Sequence, residues 1–254
     1  MDNQLSNITP PSGGRGVFKA MIFAAGLGTR FKPWTDHHPK ALALINGKTL
    51  LQRNIEYLQQ YGIRDIIVNV HHFADQILET LHSNKGWGSK ITISDETDEV
   101  LETGGGLKKA ASFFDSNPFL VMNADILTDL DLNAMIDDHY HHRPLATLAV
   151  TSRSSSRYFL FNRQDELCGW KNKKTGQERI ARKDRPLVPK AFSGIHIIDP
   201  AIFSLIKQDG KFSIVDVYLE LASSQVIRGF DQSGSKLIDV GKPEAVQEAE
   251  KLFP

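Results

Sequence analysis

The chain has 254 residues, which suits one large α/β domain or two small ones with a substantial core. Thirty basic and thirty acidic side chains cancel, which argues against the broad field of a nucleic-acid-binding or membrane-surface protein. The single cysteine, Cys168, excludes an internal disulfide and a cysteine-rich zinc site, and no apolar run approaches the roughly 20 residues of a membrane span.

The first seventeen residues are polar and rich in proline and glycine, and they lack the apolar segment of a signal peptide. They predict a flexible tail over 1–17, followed by one domain over 18–254. We expect a cytoplasmic enzyme.

Beyond the tail, apolar runs typical of strands alternate with helical patterns as far as residue 150. The strand candidates are 17–23, 66–70, 90–93, 118–122 and 146–150, and the helix candidates are 50–61, 74–82, 106–114 and 133–142. This alternation predicts an α/β fold with a mostly parallel central sheet flanked by helices. Ligands of such sheets bind beyond the carboxyl ends of the strands.

The pattern changes between 152 and 190, where short β-like pieces are joined by polar turns. We interpret this segment as a small β insertion that shapes a substrate site. A return to the sheet at 191–198, two helices, two strands at 225–229 and 236–240, and a last helix from Pro243 complete the predicted fold.

The most informative motif is the loop after the first strand, with glycine at 26 and 28. Glycines let backbone N–H groups approach phosphate oxygens without interference from a Cβ atom. Arg30 and Lys40 add two cations on the same connection. A strand, a glycine loop and two cations predict a nucleoside triphosphate site, and the long segment 27–44 predicts a lid across it.

Two other phosphate motifs are excluded. The chain contains no Gly-x-x-x-x-Gly-Lys-Ser/Thr sequence, so it has no P-loop. A dinucleotide fingerprint that begins at Gly26 would require its third glycine at Phe31, and Pro33 would interrupt the helix that must follow.

Two aspartates follow predicted strands. Asp125 comes after an apolar run and Asn123, and Asp239 ends another strand before a turn that starts a helix. A lone aspartate at such a place is more often a helix cap. Two of them facing a polyphosphate loop predict a Mg²⁺ site, because Mg²⁺ takes one or two carboxylates together with phosphate oxygens and water.

The run Glu102–Gly106 contains three consecutive glycines and opens a predicted helix. Such a triplet is sometimes no more than a hinge. Here we expect free N–H groups at the helix start that read a nucleobase edge. The adjacent histidine pairs diverge too much to chelate a metal well, and Cys168 is interpreted as a small core residue.

Several segments occur in one order along nearly the whole chain, from Val17 to Leu252. They are Ala24–Arg30, Pro33, Thr35, Pro39–Leu42, Asn123–Asp125, Ser193–Ile195 and Asp239–Glu244. With them the chain resembles the sugar-1-phosphate nucleotidyltransferases, also called nucleotide-sugar pyrophosphorylases. The runs 101–106 and 167–170 are most similar to the compact N-acetylmuramate-1-phosphate uridylyltransferases, which act in peptidoglycan recycling, with short mannose-1-phosphate guanylyltransferases close behind.

The resemblance implies a Rossmann-like core and the following roles. Nucleotide binding falls to Ala24, Ala25, Gly26, Gly28, Thr29, Gly104 and Gly105. Arg30 and Lys40 become the catalytic cations, Asn123 and Gly194 border the sugar, and Asp125 and Asp239 bind Mg²⁺. The family's second lysine over the sugar phosphate has no aligned counterpart, and Arg157, Lys171 and Lys190 are its candidates.

The predicted reaction is attack of a sugar-1-phosphate on the α-phosphorus of a nucleoside triphosphate, with UTP and N-acetylmuramate-1-phosphate favoured. The partners are these two small molecules, without nucleic acid or membrane. The alternatives are a GTP-dependent mannose-1-phosphate enzyme and a catalytically silent sugar-nucleotide-binding protein. A nicotinamide-dependent oxidoreductase is disfavoured by Phe31.

Overall fold

The structure, a computed structural model, describes residues 18–254, so the tail predicted for 1–17 lies outside the described residues. One ten-stranded sheet forms the centre of the molecule. Its strands are β1 (Lys19–Phe23), β4 (Asp65–Val70), β5 (Lys90–Asp95), β6 (Phe119–Asn123), β8 (Ala146–Thr151), β9 (Arg157–Phe161), β10 (Leu167–Asn172), β11 (Glu178–Ile180), β12 (Val188–Ile198) and β13 (Ile227–Asp231). Two small ribbons pair β2 (Leu44–Ile45) with β3 (Lys48–Thr49) and β7 (Ile126–Thr128) with β14 (Leu237–Asp239).

Helices flank this sheet, and a polar side chain caps the first turn of three of them. The helices are α1 (Leu50–Gln60), α2 (Ala74–Ser83), α3 (Glu102–Lys109), α4 (Leu132–His142), α5 (Ile202–Leu205), α6 (Ile214–Leu221) and α7 (Ala245–Leu252). Thr49, Asp131 and Ser213 each accept a hydrogen bond from a backbone N–H of the first turn of α1, α4 and α6. Over residues 18–254, no helix is long and apolar enough to cross a membrane.

The strand order places the first half of the chain in a parallel array. β5, β4, β1 and β6 lie side by side and run in the same direction. β12 then runs antiparallel to β6, β8 and β9. The mostly parallel central sheet flanked by helices, predicted from the alternating pattern, is confirmed. β9, β10 and β11, from within the predicted insertion, extend this same sheet.

Alternation along β1 shows why both faces of the sheet are covered. Ala20 and Ile22 belong to one buried cluster, which includes apolar residues of α1, α2 and α4. Met21 points to the other face and belongs to a second cluster, with residues of α3, α5 and α6. Four consecutive apolar residues, Ala20 to Phe23, follow Lys19 in β1, and such a run is typical of a parallel sheet between two helical layers.

Two predicted elements need correction. The helix expected over 106–114 begins four residues earlier, at Glu102, and ends at Lys109. A separate 3₁₀ turn covers Ala111–Phe113. The strand expected over 236–240 is β14, which pairs with β7 outside the central sheet. Both differences move predicted site residues.

Candidate active site

The carboxyl ends of β1, β4 and β6 open onto a cavity of about 370 Å³. Gly26 and the segment 123–125 line this cavity together, as the strand order predicts. The site residues predicted from the sequence that line it are Ala24, Ala25, Gly26, Lys40, Asn123 and Asp125. Its other lining residues are Phe23, Ala41, Asn69, Glu96, Val100, Glu102, Thr103 and Ala124.

The glycine loop leaves β1 at Phe23 and turns at Gly28, which has a φ of 60°. A Cβ atom at Gly28 would lie 2.8 Å from Cγ2 of Thr35, whose hydroxyl donates to the Gly28 carbonyl at 2.9 Å. Within residues 18–254, the N–H groups of Gly26, Leu27 and Gly28 have no protein acceptor. Consecutive N–H groups of this kind form a concave donor site for an anion.

The segment 27–44 lines the cavity through Lys40 and Ala41, and its role as a lid stays a prediction. Three 3₁₀ turns organise it, and Phe31, Thr35 and Ala41 are buried. Phe31 packs in a cluster with Ile238 and Val240. This packing anchors the loop to the C-terminal part of the chain and fixes where its cations lie.

Lys40 and Asp125 form an ion pair at the cavity wall, and each side chain is 16% exposed. Lys40 lies in a 3₁₀ turn whose preceding residue, Pro39, is extended. Asp125 lies in the short turn between β6 and β7. The pair places one cation and one carboxylate beside the open end of the glycine loop.

Asp239 lies beside Asp125 because β14 pairs with β7. Asp239 is opposite Ile126 in this ribbon, and the N–H of Val240 donates to the Asp125 carbonyl at 2.8 Å. Desolvation and the nearby Asp125 carboxylate raise the pKa of Asp239 above its usual value. The two carboxylates are therefore close enough to repel each other.

Cations face this carboxylate pair from two directions. The positive charges of Lys40, Arg30 and Arg153 oppose this increase in the pKa of Asp239. A Cβ atom built on Gly241 would lie 3.1 Å from Nη2 of Arg30 and 2.7 Å from Oδ1 of Asp239, so both side chains lie against this glycine. Arg30 and Thr29 are exposed and are not among the residues that line the cavity.

Asn123 and Gly194 meet where β12 bulges. The β8–β12 register shifts between Phe192 and His196. Gly194, with a φ of 74°, lies so near Asn123 that a Cβ atom would be 2.7 Å from its Nδ2. Arg153, just beyond β8, donates from Nη2 to the Phe192 carbonyl at 3.1 Å. The bulge thus has the Asn123 amide against Gly194 and the Arg153 guanidinium against Phe192.

Gly104 and Gly105 do not present free N–H groups. Both donate to the Phe212 carbonyl, at 2.9 and 3.2 Å, because α3 starts at Glu102 and its first turn is capped from the 210–212 segment. The prediction that these groups are free for a nucleobase is wrong. Glu102 and Thr103, at the start of the same helix, line the cavity instead.

The three cations considered for the sugar phosphate are placed differently. Lys190 is 16% exposed and pairs with Asp165 and Asp231 at 3.3 and 3.0 Å. Lys171 pairs with Glu178 at 3.5 Å. Arg157 is exposed at the start of β9. Nothing local in the sequence distinguishes Arg153 from the other arginines of the insertion.

A carboxyl-edge crevice with a donor-rich glycine loop, two cations and a carboxylate pair defines a nucleotide-binding α/β enzyme. The chain belongs to the nucleotidyl transferase family, whose model matches residues 19–253. The enzyme class predicted from the sequence, a sugar-1-phosphate nucleotidyltransferase with a Rossmann-like fold, is confirmed.

Known relatives differ in their nucleotide. The chain is 32% identical to the N-acetylmuramate alpha-1-phosphate uridylyltransferase of Caulobacter vibrioides, over 91% of this chain and 95% of that protein. It is 29% identical to the mannose-1-phosphate guanyltransferase of Yarrowia lipolytica, over 89% of this chain and 61% of that protein. The solved structure of HddC from Yersinia pseudotuberculosis complexed with GMP-PN has a TM-score of 0.75 at 25% identity, and the match covers 93% of this chain and 100% of HddC.

Two buried polar residues of the cavity wall were also missed. Asn69 and Glu96 are 3% and 1% exposed. Asn69 interrupts the apolar run of β4, and this interruption is the signal that could have identified it. Glu96 follows β5 and resembles any surface acid in the sequence. Over residues 18–254, no cluster of three or more His, Cys, Asp or Glu side chains could hold a metal.

Proposed function

We propose that this enzyme transfers a uridylyl group from UTP to N-acetylmuramate-1-phosphate, with release of pyrophosphate. The observation that carries the proposal is the meeting of the Gly26–Gly28 donors with the Arg30 and Lys40 cations and the Asp125–Asp239 carboxylate pair. Backbone donors and cations bind a polyphosphate. A site that bound only an anion would not need a carboxylate pair, whereas a site for a polyphosphate with Mg²⁺ would use one.

The nucleotide would lie along the glycine loop. Gly26, Gly28 and Thr29 would hold the phosphates, and Ala24 and Ala25 would form the wall on the base side. Arg30 would contact the departing pyrophosphate, because its planar fork matches phosphate oxygens. Lys40 would leave Asp125 for a phosphate oxygen as the triphosphate enters.

Asp125 and Asp239 would hold Mg²⁺. The donor set fits this ion, since two mutually repelling carboxylates gain from a divalent cation between them and Mg²⁺ completes its shell with phosphate oxygens and water. When bound, the ion would neutralise charge on the α-phosphate.

In the reaction, an oxygen of the sugar phosphate attacks the α-phosphorus, and the bond from that phosphorus to the β-phosphate oxygen breaks. A phosphate monoester has a second pKa near 6, so the attacking oxygen needs no general base at neutral pH. The protein aligns two anions and neutralises the developing charge, which is catalysis by positioning and electrostatics.

Arg153 would bind the sugar phosphate, with Asn123 and Gly194 at the edge of the sugar. Its Nη2 donates to the Phe192 carbonyl at 3.1 Å, and this contact leaves other N–H groups of an exposed guanidinium for a ligand. Lys190 is already held by two aspartates. Arg153→Ala should raise the KM for the sugar phosphate at least about tenfold, whereas Arg157→Ala should not. Equal effects of the two variants would contradict this assignment.

The choice of substrates is supported by the uridylyltransferase relative, which is covered over almost its full length. The alternative is a guanylyl transfer to mannose-1-phosphate, which the Yarrowia relative and the GMP-PN complex of HddC support. A silent sugar-nucleotide-binding protein is disfavoured by the presence of Arg30, Lys40, Asp125 and Asp239 together. The proposal extends to a cytoplasmic role in peptidoglycan recycling.

Pyrophosphate release would test this proposal. UTP, GTP, dTTP and CTP would each be combined with the 1-phosphates of N-acetylmuramate, N-acetylglucosamine, mannose and glucose, with and without Mg²⁺. We expect the UTP and N-acetylmuramate pair to be fastest by a wide margin, because a site that hydrogen-bonds one edge rejects others strongly. Preference for GTP with mannose-1-phosphate would refute the uridylyl assignment. Absence of turnover with nucleotide binding intact would favour the silent protein.

A further inference from the structure

A chain of buried hydrogen bonds lies directly behind the glycine loop. Oδ1 of Asn69 accepts from the N–H groups of Ala24 and Ala25, at 2.7 and 3.3 Å. Nδ2 of Asn69 donates to Oε1 of Glu96 at 2.8 Å, and Oε2 of Glu96 accepts from the Leu101 N–H at 3.2 Å. This Asn69–Glu96 relay connects the end of β1 to the start of α3 through β4 and β5.

The third glycine of the triplet makes room for this relay. A Cβ atom at Gly106 would lie 2.6 Å from Oε1 of Glu96 and 3.1 Å from Nδ2 of Asn69. It would occupy the space of the hydrogen bond that joins the two side chains. The requirement for glycine at this position therefore comes from the relay.

The relay has a fixed polarity. Both carboxylate oxygens of Glu96 act as acceptors, one for the NH₂ group of Asn69 and the other for the Leu101 N–H. The amide oxygen is then turned towards β1, where it accepts from Ala24 and Ala25. These two N–H groups are thereby withdrawn from any ligand, and the first N–H available to a phosphate is that of Gly26.

We infer that Asn69 and Glu96 are positioning residues that set the register of the triphosphate on the glycine loop. The inference rests on the proposed function of this loop. It explains why a buried carboxylate and a buried amide lie in the wall of a nucleotide cavity without being needed for the chemistry. A loop held at two consecutive N–H groups presents its remaining donors in one arrangement, which is the requirement for tight phosphate binding.

An exchange of the hydrogen-bond donor and acceptor between the side chains at 69 and 96 tests the relay. In Asn69→Asp a carboxylate faces Glu96 at hydrogen-bond distance, and the two negative charges repel. In the double variant Asn69→Asp/Glu96→Gln the new carboxylate accepts from Ala24, Ala25 and the introduced NH₂ group, while the glutamine oxygen accepts from Leu101. All the hydrogen bonds of the relay are restored, and only the bond between the two side chains has its direction reversed.

The measurement is the Kd for UTP and for GTP with Mg²⁺ by calorimetry at about pH 8, well above ordinary carboxylate pKa values. Asn69→Asp should raise the Kd of the nucleotide that binds by at least about tenfold, and the double variant should return to within about threefold of the unmodified chain. With nucleotide saturating, the KM for the sugar phosphate should be unchanged in both.

Asn162→Asp is the matched control. Asn162 is 5% exposed, accepts from two backbone N–H groups and donates to Oδ2 of Asp184 at 2.9 Å, in the turn between β9 and β10. This control should lose thermal stability and keep its nucleotide Kd. An unchanged Kd in Asn69→Asp, or a double variant that folds but binds as weakly as Asn69→Asp, would overturn this inference and leave the proposed function standing. An unmodified chain that binds neither nucleotide would overturn the proposed function and the inference with it.

Discussion

Replacing Gly105 by alanine should destabilise the fold, whereas replacing Gly26 by alanine should weaken nucleotide binding. The sequence assigned both glycines to the nucleotide. A Cβ atom at Gly105 would lie 2.1 Å from the carbonyl oxygen of Gly210, about 1.3 Å short of an ordinary 3.4 Å contact. The obstacle is backbone, so the segment at 210 must move. At Gly26 a Cβ atom would meet nothing within 4 Å, and the residue lines the cavity.

The magnitudes follow from this difference. Overpacking in a close-packed interior costs about 1–3 kcal/mol, so Gly105→Ala should lower the melting temperature of the ligand-free protein by about 2–12 °C. Gly26→Ala should leave it unchanged or raise it slightly, because the unfolded chain loses conformational freedom. Its nucleotide Kd should rise at least about tenfold, since the new methyl group enters the phosphate-binding surface.

Thermal melts without ligand and calorimetric titration with UTP and Mg²⁺ would measure both effects. Gly234→Ala is the control for each, because its Cβ atom also meets nothing within 4 Å and it lies outside the cavity. The reasoning is refuted if Gly105→Ala melts like the unmodified chain, or if Gly26→Ala binds nucleotide as tightly. Either result would mean that these close contacts relax or that the phosphates lie elsewhere.

Three further predictions concern charges. Asp125→Asn and Asp239→Asn should each lower turnover at least about a hundredfold without unfolding the protein, and EDTA should have the same effect; full activity of either variant at limiting Mg²⁺ would remove that residue from the metal site. Arg30→Ala should lower kcat more than it raises the KM for the sugar phosphate, because the charge of pyrophosphate develops during the reaction; a change in that KM alone would contradict the assignment. Burial lowers the pKa of His139 to about 4 and that of His196 to about 3. Both histidines stay neutral in the folded state, whereas in the unfolded chain they take up protons below a pKa of about 6.5. The free energy of unfolding should therefore fall by about 1.4 kcal/mol per pH unit for each histidine as the pH is lowered from about 6 to 4. Urea titrations should show a shallower pH dependence for His139→Gln, and equal slopes would mean that His139 is protonated when folded.

The sequence was sufficient where the chemistry lies next to a strand in the chain. The apolar run before Gly26 predicts β1, and the position of Asp125 after another apolar run predicts where β6 ends. Parallel strands bring their carboxyl ends to one edge, so Gly26 and Asp125 could be placed in one crevice without any contact being known. Periodicity and strand direction carry that information.

The glycine triplet shows what local patterns cannot provide. Glycine has a poor helix propensity, and the predicted helix begins only at Gly106, the last glycine of the triplet. Tertiary contacts override the propensity here, because Gly104 and Gly105 accommodate the segment near Phe212, about a hundred residues later in the chain. The choice between a glycine that approaches a ligand and one that approaches the protein depends on these distant partners.

The ion pair of Lys40 and Asp125 has a consequence for how substrates enter. Each side chain is 16% exposed, so the removal of either partner would leave a poorly solvated charge. A triphosphate arriving with Mg²⁺ offers an anion to Lys40 and a cation to Asp125, so both charges exchange partners and neither is left unpaired. A triphosphate without a cation would compete with Asp125 for the lysine and leave the carboxylate next to Asp239, whose pKa is already raised by burial and by this neighbour. We therefore expect the triphosphate to bind tightly only together with the metal, because a triphosphate alone would take Lys40 from Asp125 and leave two neighbouring carboxylates without that cation.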